Sequence, residues 1–150
     1  MLREGDSAPD FTLPSGDGTQ VHLSTLKGKN VVLYFYPKDD TSGCTKEACD
    51  FEESSASLKK RGAVVLGVSA DSQASHTSFA KKYGLTFPLL SDPDRSVIEA
   101  YGVWKKKSMY GRTFEGIERT TFVIDEKGMI KRIFHKVKVA GHVNEVLESL

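Results

Sequence analysis

Two cysteines at the end of a polar segment are the residues of this sequence best suited to covalent chemistry. Cys44 follows the stretch Pro37-Lys-Asp-Asp-Thr-Ser-Gly, and Cys49 lies five residues later. Two cysteines in 150 residues are too few for the disulfide framework of a small secreted domain. In a reducing compartment, a cysteine pair is usually catalytic or metal-binding. We therefore expect these thiols to act chemically.

The elements around Cys44 are predicted to be a buried strand and an amphipathic helix. Val31–Tyr36 is apolar throughout, which is typical of a strand covered on both faces. A helical apolar stripe then predicts a helix from about Ser42 to Arg61, ended by Gly62. Five residues form this stripe: Cys44, Ala48, Phe51, Ser55 and Leu58.

This placement puts Cys44 in the first turn of a helix, beyond the carboxyl end of a strand. Free N–H groups and the helix dipole favour a thiolate there. Thr41 or Ser42 is expected to cap the helix, and the Thr41 hydroxyl can also donate to a group that approaches the sulfur. Pro37 is expected to stiffen the loop and shield one side of the site. From spacing alone, a buried and unreactive Cys44 fits equally well, because it belongs to the apolar stripe.

Strands and helices alternate along the rest of the chain. This pattern predicts one α/β domain over residues 1–150, a three-layer sandwich with a central mixed sheet flanked by helices and an N-terminal β-hairpin. Trp104 to Glu118 has no clear period and is expected to form a long surface loop. The other predicted elements are strands at Phe11–Leu13, Gln20–Leu23, Ala63–Ser69 and Phe87–Leu90, a helix ended by Gly84, a helix at Asp94–Tyr101, a hairpin at Thr121–Asp125 and Met129–Phe134, and a C-terminal helix.

Charge and composition exclude several classes of partner. Lys and Arg number 21 against 20 Asp and Glu, so the formal net charge of +1 gives no electrostatic basis for binding nucleic acid or an anionic membrane. The longest apolar run, Val31–Tyr36, is far shorter than the roughly 20 residues of a spanning helix. The polar N-terminus differs from a signal peptide, so a cytoplasmic protein is expected. Neither the four histidines nor the cysteine pair has the spacing of a metal site, and no glycine-rich phosphate motif is present.

The pattern Pro-x-x-x-Thr-x-x-Cys, filled by Pro37, Thr41 and Cys44, resembles the active-site signature of the peroxiredoxins. Cys49, five residues after Cys44, is similar to the second cysteine of the peroxiredoxin Q, or bacterioferritin-comigratory, subfamily. The segments Gly5-Asp-Ser-Ala-Pro-Asp-Phe and Glu118-Arg-Thr-Thr-Phe-Val-Ile-Asp also resemble family segments, and the second carries the active-site arginine, here Arg119. The resemblance covers essentially the whole chain. It departs at Ser42, where many members have proline, and that difference affects loop stiffness only.

The resemblance implies a thiol peroxidase with a thioredoxin-like fold and no cofactor. No long apolar edge demands a dimer, so a monomer is expected. The substrates would be hydrogen peroxide and organic hydroperoxides. Cys44 would attack the peroxide, while Thr41 and Arg119 stabilise the departing oxygen and Glu47 orients Arg119. The resulting sulfenic acid would form a disulfide with Cys49, which thioredoxin or a similar dithiol protein would reduce.

The helix has to open before that disulfide can form. Five helical residues separate the Cα atoms of Cys44 and Cys49 by roughly 8.6 Å, beyond the ~7 Å limit for a disulfide without backbone movement. Cys49 lies off the apolar stripe, beside Glu52 and Glu53, and is expected to be nearer to solvent. Two other functions remain open: a disulfide oxidoreductase, which usually has Cys-x-x-Cys spacing, and a redox-gated binding or chaperone module, which would stop after one turnover.

Overall fold

A five-stranded mixed sheet lies at the centre of the fold in a computed structural model that covers residues 1–150. In chain order, the strands are β1 (Thr12–Pro14), β2 (Gln20–His22), β3 (Asn30–Phe35), β4 (Ala63–Ser69), β5 (Leu89–Ser91), β6 (Trp104–Met109), β7 (Arg112–Ile117), β8 (Thr120–Ile124) and β9 (Ile130–Phe134). The helices are α1 (Ser42–Glu53), α2 (Ser55–Lys60), α3 (Gln73–Tyr83), α4 (Ser96–Ala100) and α5 (His142–Ser149). The strand order of the sheet is β5-β4-β3-β8-β9, in which β3 is parallel to β4 and antiparallel to β8.

Strand β3 is buried on both faces, as its sequence predicts. Val31, Leu33 and Phe35 pack in one cluster with the N-terminal segment and α4. Val32 and Tyr34 pack in the opposite cluster with α1, α2, α3 and α5. This arrangement confirms the mixed sheet, its helical flanks and the predicted N-terminal hairpin, formed by β1 and β2. No helix is both long and apolar enough to cross a bilayer.

The predicted continuous helix from Ser42 to Arg61 is wrong at Ser54. That residue leaves helical geometry, with φ −94° and ψ 9°, and its N–H donates to the carbonyl oxygens of Asp50 and Glu52. Serine competes with helical hydrogen bonding, which weakens the helix at this Ser-Ser step. Because α2 starts at the next residue, the apolar stripe continues across the break and gives no sign of it.

The predicted surface loop from Trp104 to Glu118 is also wrong, because β6 and β7 pair as a separate antiparallel hairpin. Tyr110 and Gly111 have φ of 53° and 75°, as a two-residue hairpin turn of type I′ requires. Most side chains of the hairpin are exposed, so its strands lack apolar alternation. Trp104 packs against the core cluster and anchors the hairpin there, and its indole N–H donates to Glu115 on the paired strand at 2.8 Å; Tyr110 is exposed.

Candidate active site

Cys44 lies in the first turn of α1, and α1 follows β3 through the active-site loop, residues 37–41. Its side chain belongs to the cluster between the sheet and the helices and is only 1% exposed. The first-turn N–H groups and the helix dipole provide a partial positive charge beside the sulfur. Pro37 directly follows the buried Tyr36 and begins this loop.

Arg119 brings a full positive charge to the same sulfur. It directly precedes β8, which pairs with β3, so the sheet places Arg119 beside the start of α1. Its Nη2 atom lies 3.3 Å from the Cys44 sulfur, within hydrogen-bond distance. A Cβ at Gly43 would lie 3.2 Å from the same nitrogen, so glycine leaves the guanidinium the space to approach. Burial lowers the pKa of Arg119, but Glu47 and Cys44 outweigh this effect and the net shift is upward.

Glu47 lies one turn after Cys44, is fully buried and accepts a hydrogen bond from Arg119 Nη1 at 2.7 Å. Its second carboxylate oxygen has no hydrogen-bond partner. Burial raises the pKa of Glu47 to about 7, although Arg119 acts in the opposite direction. Glu47 therefore holds one edge of the guanidinium while the other edge faces the sulfur.

This raised pKa predicts how the Glu47→Gln substitution changes stability with pH. Because the folded-state pKa of about 7 exceeds the reference value of 4.5, the stability that protonated Glu47 provides is fully present below pH 4.5 and is lost as pH rises through about 7. Glutamine stays neutral and still accepts from Arg119. Relative to wild type, the variant should gain about 3 kcal/mol in unfolding free energy between about pH 4.5 and pH 8.

Urea unfolding of both proteins at several pH values measures this gain. Glu53→Gln is the matched control, because Glu53 is an exposed carboxylate on the same helix. A stability difference between Glu47→Gln and wild type that stays constant with pH would refute a raised pKa at Glu47.

Thr41 occupies the N-cap position of α1, with φ −91° and ψ 157°. The predicted side-chain cap is nevertheless absent at Thr41, because its hydroxyl donates to the carbonyl oxygen of Lys38 at 2.9 Å. That bond forms a tight turn directly before α1, and the Thr41 side chain remains exposed. The turn fixes the hydroxyl three residues before Cys44, and a role as donor to a peroxide stays a prediction.

Cys49 lies on the same uninterrupted helix as Cys44 and is half-buried, so it is more accessible than Cys44. The two thiols are not bonded to each other. Burial raises the pKa of Cys49, and the nearby carboxylates of Glu53, Asp50 and Glu52 raise it further. Both positions are helical, so the geometric argument that α1 has to unwind before a disulfide forms applies directly.

Asp39, in the active-site loop, and His76, in α3, form a buried pair that sequence reasoning did not select. Their Oδ2 and Nδ1 atoms are 2.7 Å apart, and the two side chains are 4% and 0% exposed. Together with Asp71 they offer three potential metal ligands within 4.8 Å of one another. Each side chain is already hydrogen-bonded within the protein, which favours a structural role over metal binding. The sequence gives only a weak signal for this pair, because His76 merely continues the apolar stripe of α3.

Lys107 belongs to the run Lys105-Lys-Lys, a pattern typical of a solvated surface, but its side chain is half-buried on β6. Its side chain would lie against a Cβ at Gly116, on the paired strand. Burial and the charge of Arg119 lower the pKa of Lys107, whereas Cys44 and Glu118 raise it. The hairpin thus brings a second cation within electrostatic reach of Cys44 and Arg119.

Comparison with known proteins decides the family. A sequence profile of the AhpC/TSA family matches residues 5–133, which is most of the chain. The chain belongs to this family. A Coxiella burnetii protein is 56% identical over 149 residues, 99% of each chain. Peroxiredoxin Bcp of Bacillus subtilis is 49% identical over 146 residues, covering 97% of this chain and 93% of its own.

A solved structure of the bacterioferritin comigratory protein of Xanthomonas campestris has a TM-score of 0.88 with this chain. It is 45% identical and covers 93% of this chain and 88% of its own, and it is described with alkyl peroxide reduction activity. These similarities confirm the resemblance to the peroxiredoxins and the thioredoxin-like fold. The chain is a peroxiredoxin of the Bcp, or peroxiredoxin Q, type, and thus a thiol peroxidase.

Proposed function

We propose that this peroxiredoxin reduces hydrogen peroxide and organic hydroperoxides through a sulfenic acid on Cys44. A disulfide between Cys44 and Cys49 follows, and thioredoxin or a similar dithiol protein reduces it. The observation that carries the proposal is the 3.3 Å contact between Arg119 Nη2 and the Cys44 sulfur at the start of α1. The similar Xanthomonas protein, with its alkyl peroxide reduction activity, supports the choice of substrate.

The first step is an in-line displacement at oxygen. The Cys44 thiolate donates an electron pair to the distal peroxide oxygen, forming an S–O bond while the O–O bond breaks. The leaving oxygen takes the electrons of the broken bond and a proton from solvent, so that water or an alcohol departs, and the oxygen transferred to Cys44 keeps its hydrogen as a sulfenic acid. Negative charge grows on the leaving oxygen during the step, and Arg119 and the first-turn N–H groups are the donors that would stabilise it. The Thr41 hydroxyl would join them by turning from the carbonyl oxygen of Lys38 towards the peroxide. Pro37 shields the loop side of the sulfur.

The second step joins the two cysteines. The Cys49 thiolate attacks the sulfur of the Cys44 sulfenic acid, and the S–O bond breaks to release hydroxide, which becomes water on protonation. Unwinding the start of α1 brings the two sulfurs together. It would also expose Cys49 and so relieve the burial that is the main cause of its raised pKa, which would promote formation of the attacking thiolate.

The third step returns both thiols. A thioredoxin-type protein attacks the Cys44–Cys49 disulfide, takes over the disulfide and leaves with it, so two electrons enter the peroxiredoxin. The unwound helix would expose this disulfide to the reductant. We propose that a single chain carries out the cycle, because both cysteines belong to one helix, and that it works in the cytoplasm, where such dithiols are kept reduced.

The test is a turnover assay on the wild-type protein with thioredoxin, thioredoxin reductase and NADPH. We expect many equivalents of NADPH to be oxidised per chain with hydrogen peroxide and with cumene hydroperoxide. Mass spectrometry after a short exposure to peroxide with a sulfenic acid trap should place the adduct on Cys44. A protein that oxidises once and then stops would instead support the redox-gated module, and an adduct on Cys49 would reverse the two roles.

A further inference from the structure

The active-site loop is held against helix α3 at two successive aspartates. Asp39 bonds to residues at the start of α3, and Asp40 accepts from Lys82 Nζ at 2.8 Å and from the Tyr83 hydroxyl at 2.6 Å near its end. Asp40 has a φ of 58°, a left-handed conformation that is uncommon among non-glycine residues but accessible to aspartate. Thr41 follows directly, so this attachment determines where α1 begins.

The contacts of Asp39 are buried and numerous. Its Oδ1 accepts from the Tyr36 hydroxyl at 2.6 Å, and its Oδ2 accepts from the Ser75 hydroxyl at 2.8 Å and from His76 Nδ1 at 2.7 Å. Its backbone N–H donates to Asp71 at 2.8 Å. Burial raises the pKa of Asp39, but the hydrogen bonds from His76 and Tyr36 outweigh this effect, and the net shift is downward. Asp39 is therefore ionised at neutral pH.

Both ring nitrogens of His76 have partners inside the protein. Nε2 lies 2.9 Å from the carbonyl oxygen of Leu90, at the sheet. Nδ1 lies 2.7 Å from Oδ2 of Asp39, in the active-site loop. His76 therefore joins the active-site loop, α3 and β5.

We propose that His76 is a positioning residue for the peroxide reaction: its buried pair with Asp39 holds the active-site loop so that Thr41 and Cys44 face the peroxide. The same pair opposes the unwinding of α1, which has to begin directly after this loop. Loss of the pair should therefore slow peroxide attack and speed disulfide formation. This inference rests on the roles proposed above for Cys44 and Cys49.

Two rates measured on His76→Gln test the proposal. The first is the second-order rate constant for oxidation of Cys44 by hydrogen peroxide, in a Cys49→Ser background. The second is the first-order rate of Cys44–Cys49 disulfide formation, followed by acid quenching and mass spectrometry. Glutamine can donate to only one of the two acceptors. We expect the first rate to fall and the second to rise, each by about tenfold, the equivalent of about 1.4 kcal/mol.

Opposite changes in the two rates distinguish a positioning role from a general loss of stability. A general loss of stability would leave both rates unchanged as long as the protein stays folded. His142→Gln is the matched control, because it removes another buried imidazole, one bonded to Thr121 instead of the loop. Ser75→Ala removes only a neutral donor to Asp39, and we expect it to fold and to show smaller changes in the same directions. It keeps the proposal testable if His76→Gln does not fold.

Unchanged rates in the folded variants, or two rates that change in the same direction, would overturn the role of His76. Failure of the proposed function looks different, because it shows in the wild type. If wild-type Cys44 is oxidised but no disulfide with Cys49 appears, the resolving role is wrong, and the first rate alone decides whether His76 positions the loop. If wild-type Cys44 does not react with peroxide at all, both proposals fail.

Discussion

The Cys44→Ser protein is expected to consume no peroxide at any concentration of thioredoxin. A serine hydroxyl stays protonated at neutral pH even beside Arg119, and oxygen is a far weaker nucleophile towards peroxide than a thiolate. Since serine is close to cysteine in size and position 44 is buried, the variant should fold. The turnover assay with NADPH measures the loss. Residual peroxide turnover above the rate without enzyme would mean that Cys44 is not the attacking residue.

The Cys49→Ser protein is its matched counterpart, because it loses the other thiol of the same helix. It should still consume one equivalent of peroxide per chain at the wild-type rate, since Cys44, Arg119 and Glu47 remain in contact. Turnover with thioredoxin should then stop, because the sulfenic acid has no partner in the chain. Quantifying one trapped sulfenic acid per chain checks this. Turnover at the full rate would refute the resolving role of Cys49.

Elements that are marked by a pattern of apolar residues, or by a glycine at a helix end, could be predicted from sequence. Val31–Tyr36 showed a strand buried on both faces, and Gly84 ends α3 with φ 65° as expected. The helix break at Ser54 could not be predicted, because a one-residue kink preserves the order of apolar positions. The hairpin of β6 and β7 was missed because a two-stranded ribbon exposed to solvent needs no alternation, and only the Tyr110-Gly111 turn signals it.

At the candidate site, sequence-based prediction is limited by contacts between residues that are far apart in the chain. Spacing placed Cys44 at the start of a helix, but its contact with Arg119 spans 75 residues, and only the family resemblance selected that arginine. The pair of Asp39 and His76 is separated by 37 residues and has no local motif. Sequence patterns report neighbours on one helix or strand, whereas contacts between elements depend on strand order and register. The parallel pairing of β3 with β4 and the antiparallel pairing with β8 bring these residues together.

Arg119→Ala is expected to slow the oxidation of Cys44 by about 100- to 1,000-fold, as when an oxyanion donor is removed from other enzymes. The guanidinium contacts the attacking sulfur and lies where negative charge grows on the departing oxygen, so its loss acts on the transition state. Stopped-flow measurement of the second-order rate constant, in a Cys49→Ser background, isolates this step. The effect should be on the rate far more than on folding.

Folding is preserved because the remaining carboxyl can become neutral. Without Arg119, the carboxyl of Glu47 is buried and unpaired. Its pKa, already raised to about 7, should rise further, because Arg119 no longer lowers it, so the carboxyl stays neutral.

The Arg119→Ala/Glu47→Gln double variant removes this titrating carboxyl, and we expect it to be as slow as the Arg119→Ala single variant. If the double variant regains the wild-type rate, the defect comes from an unpaired, buried negative charge at Glu47, and Arg119 does not act on the peroxide. If Arg119→Lys, which keeps the charge but lacks the planar fork, is as fast as wild type, charge alone suffices and the two-edged contact with Cys44 and Glu47 is unnecessary.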